Sequence, residues 1–239
     1  NVVLLISMTL FSNNLFLLHF NEDVGSATFV DSSGNGKNGT CVDCPKIVSG
    51  KFGNGVEFNG TDTGLTTSNG LKIGIGSDFK LIGAMTVEAW VYFNSSQSKY
   101  IVSKLGNAGA RGFSLKFVSE NSINKIKFQI DQTLSDNCNN LVSVSSNSDI
   151  PLNEWHHIVG VFDPSTTFKI YVDGILDSSY GGGVPAQQCN SNVVLNIGRR
   201  EDGIGGLFNG SIDEVALYDI ALTGGEILDH YQRGLKRLN

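Results

Sequence analysis

"NGSIDEVALYD", residues 209–219, places two carboxylates, Asp213 and Glu214, inside a run that is otherwise apolar and β-prone. Strict alternation of side chains along a strand puts Asp213 on one side with Val215 and Leu217, and Glu214 on the other with Ile212, Ala216 and Tyr218. One carboxylate therefore points into apolar company. Such a group either neutralises itself or finds a cation, so the run calls for a partner elsewhere in the chain.

Working outward, "TGGEILDHYQRG" (223–234) has Thr223 and Glu226 at capping-box spacing, then Ile227, Leu228 and Tyr231 on one side and Gly234 as a stop. This predicts one short C-terminal helix. From residue 15 up to that point the pattern is short apolar runs divided by Gly, Asn, Ser and Asp turns. Strands are expected at 15–20, 55–59, 64–66, 85–93, 99–104, 112–118, 125–130, 141–145, 155–162, 168–172, 175–179, 193–198 and 211–218. In "YVDGIL" (171–176) the Asp-Gly pair between β-prone runs predicts a type I′ hairpin. So many short strands imply two packed sheets: an all-β, two-sheet antiparallel sandwich.

The chain has 239 residues, a length at which β-sandwiches are commonly single domains. Its 29 glycines and 17% charged residues suit a turn-rich β protein with a quiet surface. A net charge of -6 and the lack of any Lys/Arg run remove the electrostatic footprint needed for nucleic acid or an anionic membrane. Four cysteines, Cys41, Cys44, Cys138 and Cys189, fall in loop-like stretches, which fits cross-links in an oxidising compartment. The favoured pairing is Cys41 with Cys44 and Cys138 with Cys189, out of three connectivities that four cysteines allow. A zinc site is disfavoured, because the lone C-x-x-C has neither a second pair nor a nearby histidine.

Residues 1–14 form a separate apolar segment ahead of the domain at 15–239. They show no basic leader and no small-residue cleavage site, and "SNN" at 12–14 interrupts any membrane-length span. An extra strand, or one donated to a neighbouring subunit, is weighted above a leader remnant.

Several segments in order then carry a resemblance: "LLHFNEDVGSATFVDSSGNGKNGT" (17–40), "GKFGNGVEFNG" (50–60), "MTVEAWVYF" (85–93), "NEWHHIVGVFD" (153–163), "IYVDGIL" (170–176), "LNIGRR" (195–200) and "FNGSIDEVALYDIALTGGEI" (208–227). Together they resemble the laminin-G-like group of concanavalin A-like jelly rolls. The resemblance implies a jelly-roll sandwich and a structural Ca²⁺ at its edge, held by Asp31 and Asn35 of the bent loop and by Asp213. Calcium takes about 6 to 8 oxygen ligands, which such a loop supplies partly through carbonyls. The alternative is that Asp31 and Asn35 form Asx turns and Asp213 accepts backbone N–H bonds.

Other residues carry less. His156 and His157 are adjacent in a strand and point apart, so one is expected near Trp155 and the other at the surface. His19 and His230 have no partner spacing of a metal pair. Trp90 and Trp155 read as core. Related glucanases need two carboxylates on one face, about 5 to 5.5 Å apart in retaining enzymes, whereas Asp213 and Glu214 are expected to diverge, so no catalysis is expected. Asn38, Asn59, Asn94 and Asn209 each open an N-x-S/T sequence.

The function expected is an extracellular, non-catalytic recognition or adhesion module. It binds a glycan or a cell-surface protein through loops at 105–111, 131–140, 180–192 and 199–206, with Arg111, Arg199 and Arg200 as candidate contacts. The alternative is a structural subunit of a surface filament, with self-association through residues 1–14.

Overall fold

The computed structural model describes residues 14–61, 70–97, 99–106, 111–132, 138, 140–201 and 206–236. The segment up to residue 13, the expected strand at 64–66 and half or more of each of the loops at 105–111, 131–140 and 199–206 lie outside these residues.

In chain order the elements are β1 (Asn14–Leu18), β2 (Thr28–Phe29), β3 (Gly39–Thr40), β4 (Lys46–Ser49), β5 (Asn54–Asn59), β6 (Leu71–Ile73), β7 (Met85–Phe93), β8 (Lys99–Leu105), β9 (Arg111–Glu120), β10 (Ile123–Asp131), β11 (Leu141–Ser145), β12 (Trp155–Asp163), β13 (Thr167–Val172), β14 (Ile175–Tyr180), β15 (Leu195–Ile197), β16 (Asn209–Tyr218) and α1 (Gly224–Lys236). They build two antiparallel sheets in a jelly-roll sandwich. Sheet 1 has the order β14-β13-β12-β7-β16-β5-β4, with β1 also on β16, and sheet 2 the order β11-β10-β9-β8-β15-β6-β3-β2. The short strands β2, β3, β4 and β6 escaped the sequence pattern, because two to four residues cannot establish an alternation.

Between the sheets lies one core. It includes Val87, Ala89, Val91 and Phe93 of β7, Phe113, Leu115 and Phe117 of β9, and Ile126, Phe128 and Ile130 of β10. Phe93 stacks on Phe117 at 4.2 Å, and Phe128 meets Phe168 at 4.7 Å. Pairs of this kind contribute about 0.5–1.5 kcal/mol beyond their buried area.

Sheet 1 is also covered on its outer side. Leu17, Val159, Val161, Tyr171, Ala216 and Tyr218 form a second apolar cluster there with Leu222 and Ile227, at and just before α1. The helix starts as its sequence predicts: the Thr223 N–H donates to Glu226 Oε2 at 2.8 Å, and the Glu226 N–H donates back to Thr223 Oγ1 at 3.3 Å. It does not stop at Gly234, however, and runs on to Lys236. Gly234 is a point of close approach: a Cβ there would lie 2.9 Å from Phe52 Cζ and 3.0 Å from Trp90 Cζ2.

β16 departs from strict alternation. Its pairing with β7 slips between Asp213 and Ala216, and Glu214 has a φ of 48°, which marks a β-bulge. The extra residue resets the faces. Ile212, Val215 and Leu217 all enter the inter-sheet core, while Ala216 and Tyr218 join the outer cluster. Asp213 is directly opposite Trp90, on the outer side. The expected grouping of Asp213 with Val215 and Leu217 is therefore corrected: it holds only for an unbulged strand. The bulge also marks where one edge of β16 changes partner, from β5 (at 209–212) to β1 (at 215–218).

Candidate functional site

Asp213 is fully buried, yet outside the inter-sheet core. The turn between β4 and β5 folds over it, and the Phe52 N–H donates to its Oδ2 at 2.9 Å while the Glu214 N–H donates to Oδ1 at 2.8 Å. Gly50 makes this approach feasible, since a Cβ there would come within 2.7 Å of Asp213 Oδ2. Burial pushes the Asp213 carboxyl up to about 7 against the Phe52 hydrogen bond, and the Glu214 charge adds to the rise.

Asp31 is a second backbone acceptor. It takes N–H bonds from Leu17 (3.0 Å), Ser33 (2.9 Å) and Lys37 (2.9 Å), so it fastens its loop to β1. Burial raises its pKa, but these bonds outweigh that and hold it below the usual carboxylate value. Asn35 donates its Nδ2 to the Asn14 carbonyl at 2.7 Å. The bonds present are thus those of the turn-and-cap alternative, and an ion at Asp31 would have to displace N–H donors whose positive ends face its oxygens. Among the described residues, no three or more His, Cys, Asp or Glu side chains gather to hold a metal ion. Cys41 is bonded to Cys44, and Cys138 to Cys189.

Between α1 and sheet 1 is a cavity of about 80 Å³, lined by Leu17, His19, Phe52, Glu88, Trp90, His157, Glu214, Tyr218, His230, Arg233 and Gly234. Glu88 lies at its centre of charge. Its Oε1 accepts the Tyr218 hydroxyl at 2.5 Å, and its Oε2 is 3.1 Å from His230 Nδ1 and 3.3 Å from His157 Nε2. Burial alone would raise the Glu88 pKa, but the two histidines overcome it and hold the carboxyl well below its ordinary value. Burial lowers and Glu88 raises the pKa of His230, and the net shift is upward. His19 Nδ1 is 2.8 Å from Glu214 Oε2 at the same cavity.

Several expectations are corrected here. Both His156 and His157 are buried, and neither is at the surface: His157 lies 5.2 Å from the Trp90 ring under the helix, and His156 bonds Asp173 at 2.9 Å. His19 and His230, distant in sequence, line one cavity. Glu214, expected on the other side of the strand from Asp213, lines the cavity on the same outer side of sheet 1. Glu88 was missed altogether. Its signal was a lone carboxylate in the middle of the apolar "MTVEAWVYF" strand.

Sheet 2 presents a different surface. Register places Thr40, Lys72, Asn196, Ser103, Ser114, Gln129 and Ser143 side by side across β3, β6, β15, β8, β9, β10 and β11. Their sequence neighbours Leu71, Ile73, Leu195, Ile197, Leu115 and Phe128 point into the core, so this polar row faces outward. A parallel row holds Tyr100, Lys116, Lys127 and Ser145. Glu201 folds over one end, accepting Asn196 Nδ2 at 2.9 Å and pairing with Lys72 at 3.2 Å. Ser114 and Asn196 are fully buried, yet Ser114 Oγ and Asn196 Oδ1 have no hydrogen-bond partner. Of the arginines expected as contacts, Arg199 is buried, with its Nε donating to the Arg200 carbonyl at 2.9 Å. Arg200 lies 5.8 Å from the Tyr100 ring, and the Arg111 side chain is outside the described set.

A laminin G family model, described as concanavalin A-like lectin/glucanases superfamily, matches residues 59–228. The chain belongs to this family. No curated protein matches the sequence. Among solved structures, this laminin G-like chain is similar to the binding domain of Paraclostridial Mosquitocidal Protein 1, with a TM-score of 0.68 and 16% identity over 94% of this chain and 53% of that one. It is also similar to domain 4 of AbnA, a GH43 extracellular arabinanase from Geobacillus stearothermophilus, in complex with arabinotriose, with a TM-score of 0.66 and 18% identity over 91% of this chain and 97% of that one. A third similar structure is the botulinum neurotoxin type G receptor binding domain, with a TM-score of 0.64 and 15% identity over 93% and 51%. The chain spans about half the length of the two toxin binding domains. At these identities the likeness establishes a shared fold.

Proposed function

We propose that this laminin G-like chain is an extracellular, non-catalytic recognition module that binds a glycan or a protein through the outer face of sheet 2. The observation that carries this reading is the polar outer face of sheet 2, where the row of polar residues across seven strands runs beside the partly exposed Tyr100, Lys116 and Lys127. Beneath that surface Ser114 Oγ and Asn196 Oδ1 are buried without partners, at a cost of about 1–3 kcal/mol each. Similar folds serve as binding domains of larger proteins, which supports a binding role, and the two disulfides favour an oxidising compartment.

The test is a glycan-binding screen of the full chain alongside the Tyr100→Ala, Lys116→Ala double variant, with release of reducing sugar measured in parallel. Binding that the variant loses, without turnover, supports the reading; turnover on polysaccharide refutes the non-catalytic part. A structural calcium ion at Asp31, Asn35 and Asp213 is a separate proposal, resting on the loop sequence and its carboxylates. If it binds, chelator lowers the melting temperature and added Ca²⁺ restores it. An unchanged melting curve removes it.

A further inference from the structure

We infer that the free edge of β11 is a self-association surface, through which two copies of this chain pair antiparallel about a two-fold axis at Ser143. An open strand edge is a template for further pairing, and β proteins guard theirs with charges, proline, bulges, very short strands or covering loops. The other edges of the two sheets carry such guards. β14 is bulged at Asp177, whose carbonyl accepts Asn147 Nδ2 at 2.7 Å, so the loop after β11 covers it. β4 has four residues, with Pro45 just before it and the exposed Lys46 at its start. β1 is covered by the Asp31 loop, where the Ser32 N–H donates to the Leu17 carbonyl at 2.8 Å. β2 has only two residues.

β11 has none of these guards. Its sequence, "LVSVS" (141–145), holds no charge and no proline, and its pairing with β10 runs without a register slip. It is the last strand of sheet 2, and among the described residues no backbone hydrogen bond reaches it from the other side. Leu141 is 40% exposed and Ser143 is exposed. Val142 is directly opposite the core residue Ile130, yet it is only half-buried, because nothing flanks it on the open side.

The strand itself points to a second copy as the occupant. Antiparallel pairing of a strand with its own copy requires a sequence that is compatible with its reverse, and β11 nearly repeats when read backwards about Ser143. Val142 then meets the partner's Val144 on the core side, and Ser143 meets the partner's Ser143 on the polar side. Leu141 meets the partner's Ser145. No like charges are opposed, and Val142 gains the cover it lacks. Beside β11, β14 adds the exposed Leu176 and Tyr180. Each sheet 2 continues into the other, with both polar outer faces on one side. A five-residue strand pair buries less than the roughly 1,200 Å² of a stable interface, so the dimer is reversible and depends on concentration.

The experiment is sedimentation of the full chain from about 1 to about 500 µM, a range suited to an interface of this size, for the parent, Ser143→Lys, Ser143→Glu and Ser143→Thr. The parent and Ser143→Thr should approach twice the mass of one chain at the top of the range. Ser143→Lys and Ser143→Glu should each remain single, since like charges then face each other on the axis, and both should melt like the parent because Ser143 is exposed. Mixing the Lys and Glu variants should restore the dimer, a result that a misfolded variant does not give. A parent that stays single at every concentration overturns the inference. Association that both charged variants leave unchanged assigns it to another surface, such as residues 1–13, and overturns it as well. A mixture that stays single overturns the register at Ser143. Binding by the outer face is read separately by the glycan screen, so the recognition reading stands or falls on its own.

Discussion

The two sheets share one core but treat their outer faces in opposite ways. Sheet 1 covers its outer face with an amphipathic helix and meets its buried charges with partners: Glu88 receives Tyr218, His157 and His230, and Asp213 receives backbone N–H groups. Sheet 2 lays polar side chains across seven strands, buries the centre of the row with Ser114 Oγ and Asn196 Oδ1 unpartnered, and places Lys116 and Arg200 at the Tyr100 ring. Satisfied buried polar groups hold a structure in one arrangement, whereas unsatisfied ones mark where stability is given up for another purpose. The difference is one of degree, since His157 Nδ1 under the helix is unpartnered too, and it supports the proposal that the cavity under α1 is a fastening and the polar row the recognition face.

The contrast can be broken most readily at Trp90. Trp90 is 3% exposed, packed between Phe52 and Tyr231, so Trp90→Ala should cost about 3–5 kcal/mol. In a chain of this size that lowers the melting temperature by on the order of 10 °C. A smaller fall, near the scatter of surface variants, would show that the helix side is not the stabilising face. Next comes Glu88→Ala, which strands two histidines and a tyrosine and should cost about 3 kcal/mol. The same variant should return the His230 pKa toward its ordinary 6.5, readable by NMR titration.

A smaller effect concerns pH. His230 has a raised folded pKa, so its contribution is full below 6.5 and is lost as pH rises through the raised value. Asp213 is a carboxyl raised from 3.8 to about 7, and its protonated form is likewise favoured by the fold, so its contribution is full below 3.8 and is lost as pH rises through about 7. Both contributions decline in the same direction. Melting temperature should therefore fall between slightly acid and slightly alkaline pH, with a shallower slope in His230→Gln and in Asp213→Asn; a flat profile in the parent would remove both groups from the account. The smallest change is expected on the other sheet. Ser114→Ala removes an unpartnered hydroxyl from a fully buried position and should raise stability by about 1 kcal/mol. A large loss there would mean that the row is structural after all.

The sandwich was readable because its long strands are long enough to show a pattern, and because the helix cap and the Asp173–Gly174 turn are local chemistry. Both turn residues have positive φ, 50° and 77°, as a type I′ hairpin demands. The faces of Asp213 and Glu214 were not readable, since a bulge is set by partner strands some 120 to 200 residues away in sequence and leaves no mark in alternation. The cavity under α1 has the same origin. His19, Glu88, His157, Glu214 and His230 come from five separate elements or their flanks, and only the docking of the helix makes them neighbours. The polar row was hidden for a simpler reason: Ser103, Ser114 and Gln129 are ordinary outward residues one strand at a time, and their alignment exists only once the register is known.

The divided edge of β16 bears on how the molecule comes to be. Residues 209–212 receive β5 and residues 215–218 receive β1, so two early parts of the chain have their seats on a strand made almost last. During synthesis β1 has no pairing partner in sheet 1 until nearly the whole domain has left the ribosome. Contacts of such long sequence separation form slowly. Closure of sheet 1 is therefore a late event, and β1 and β5 gain their places beside β16 only when that strand arrives.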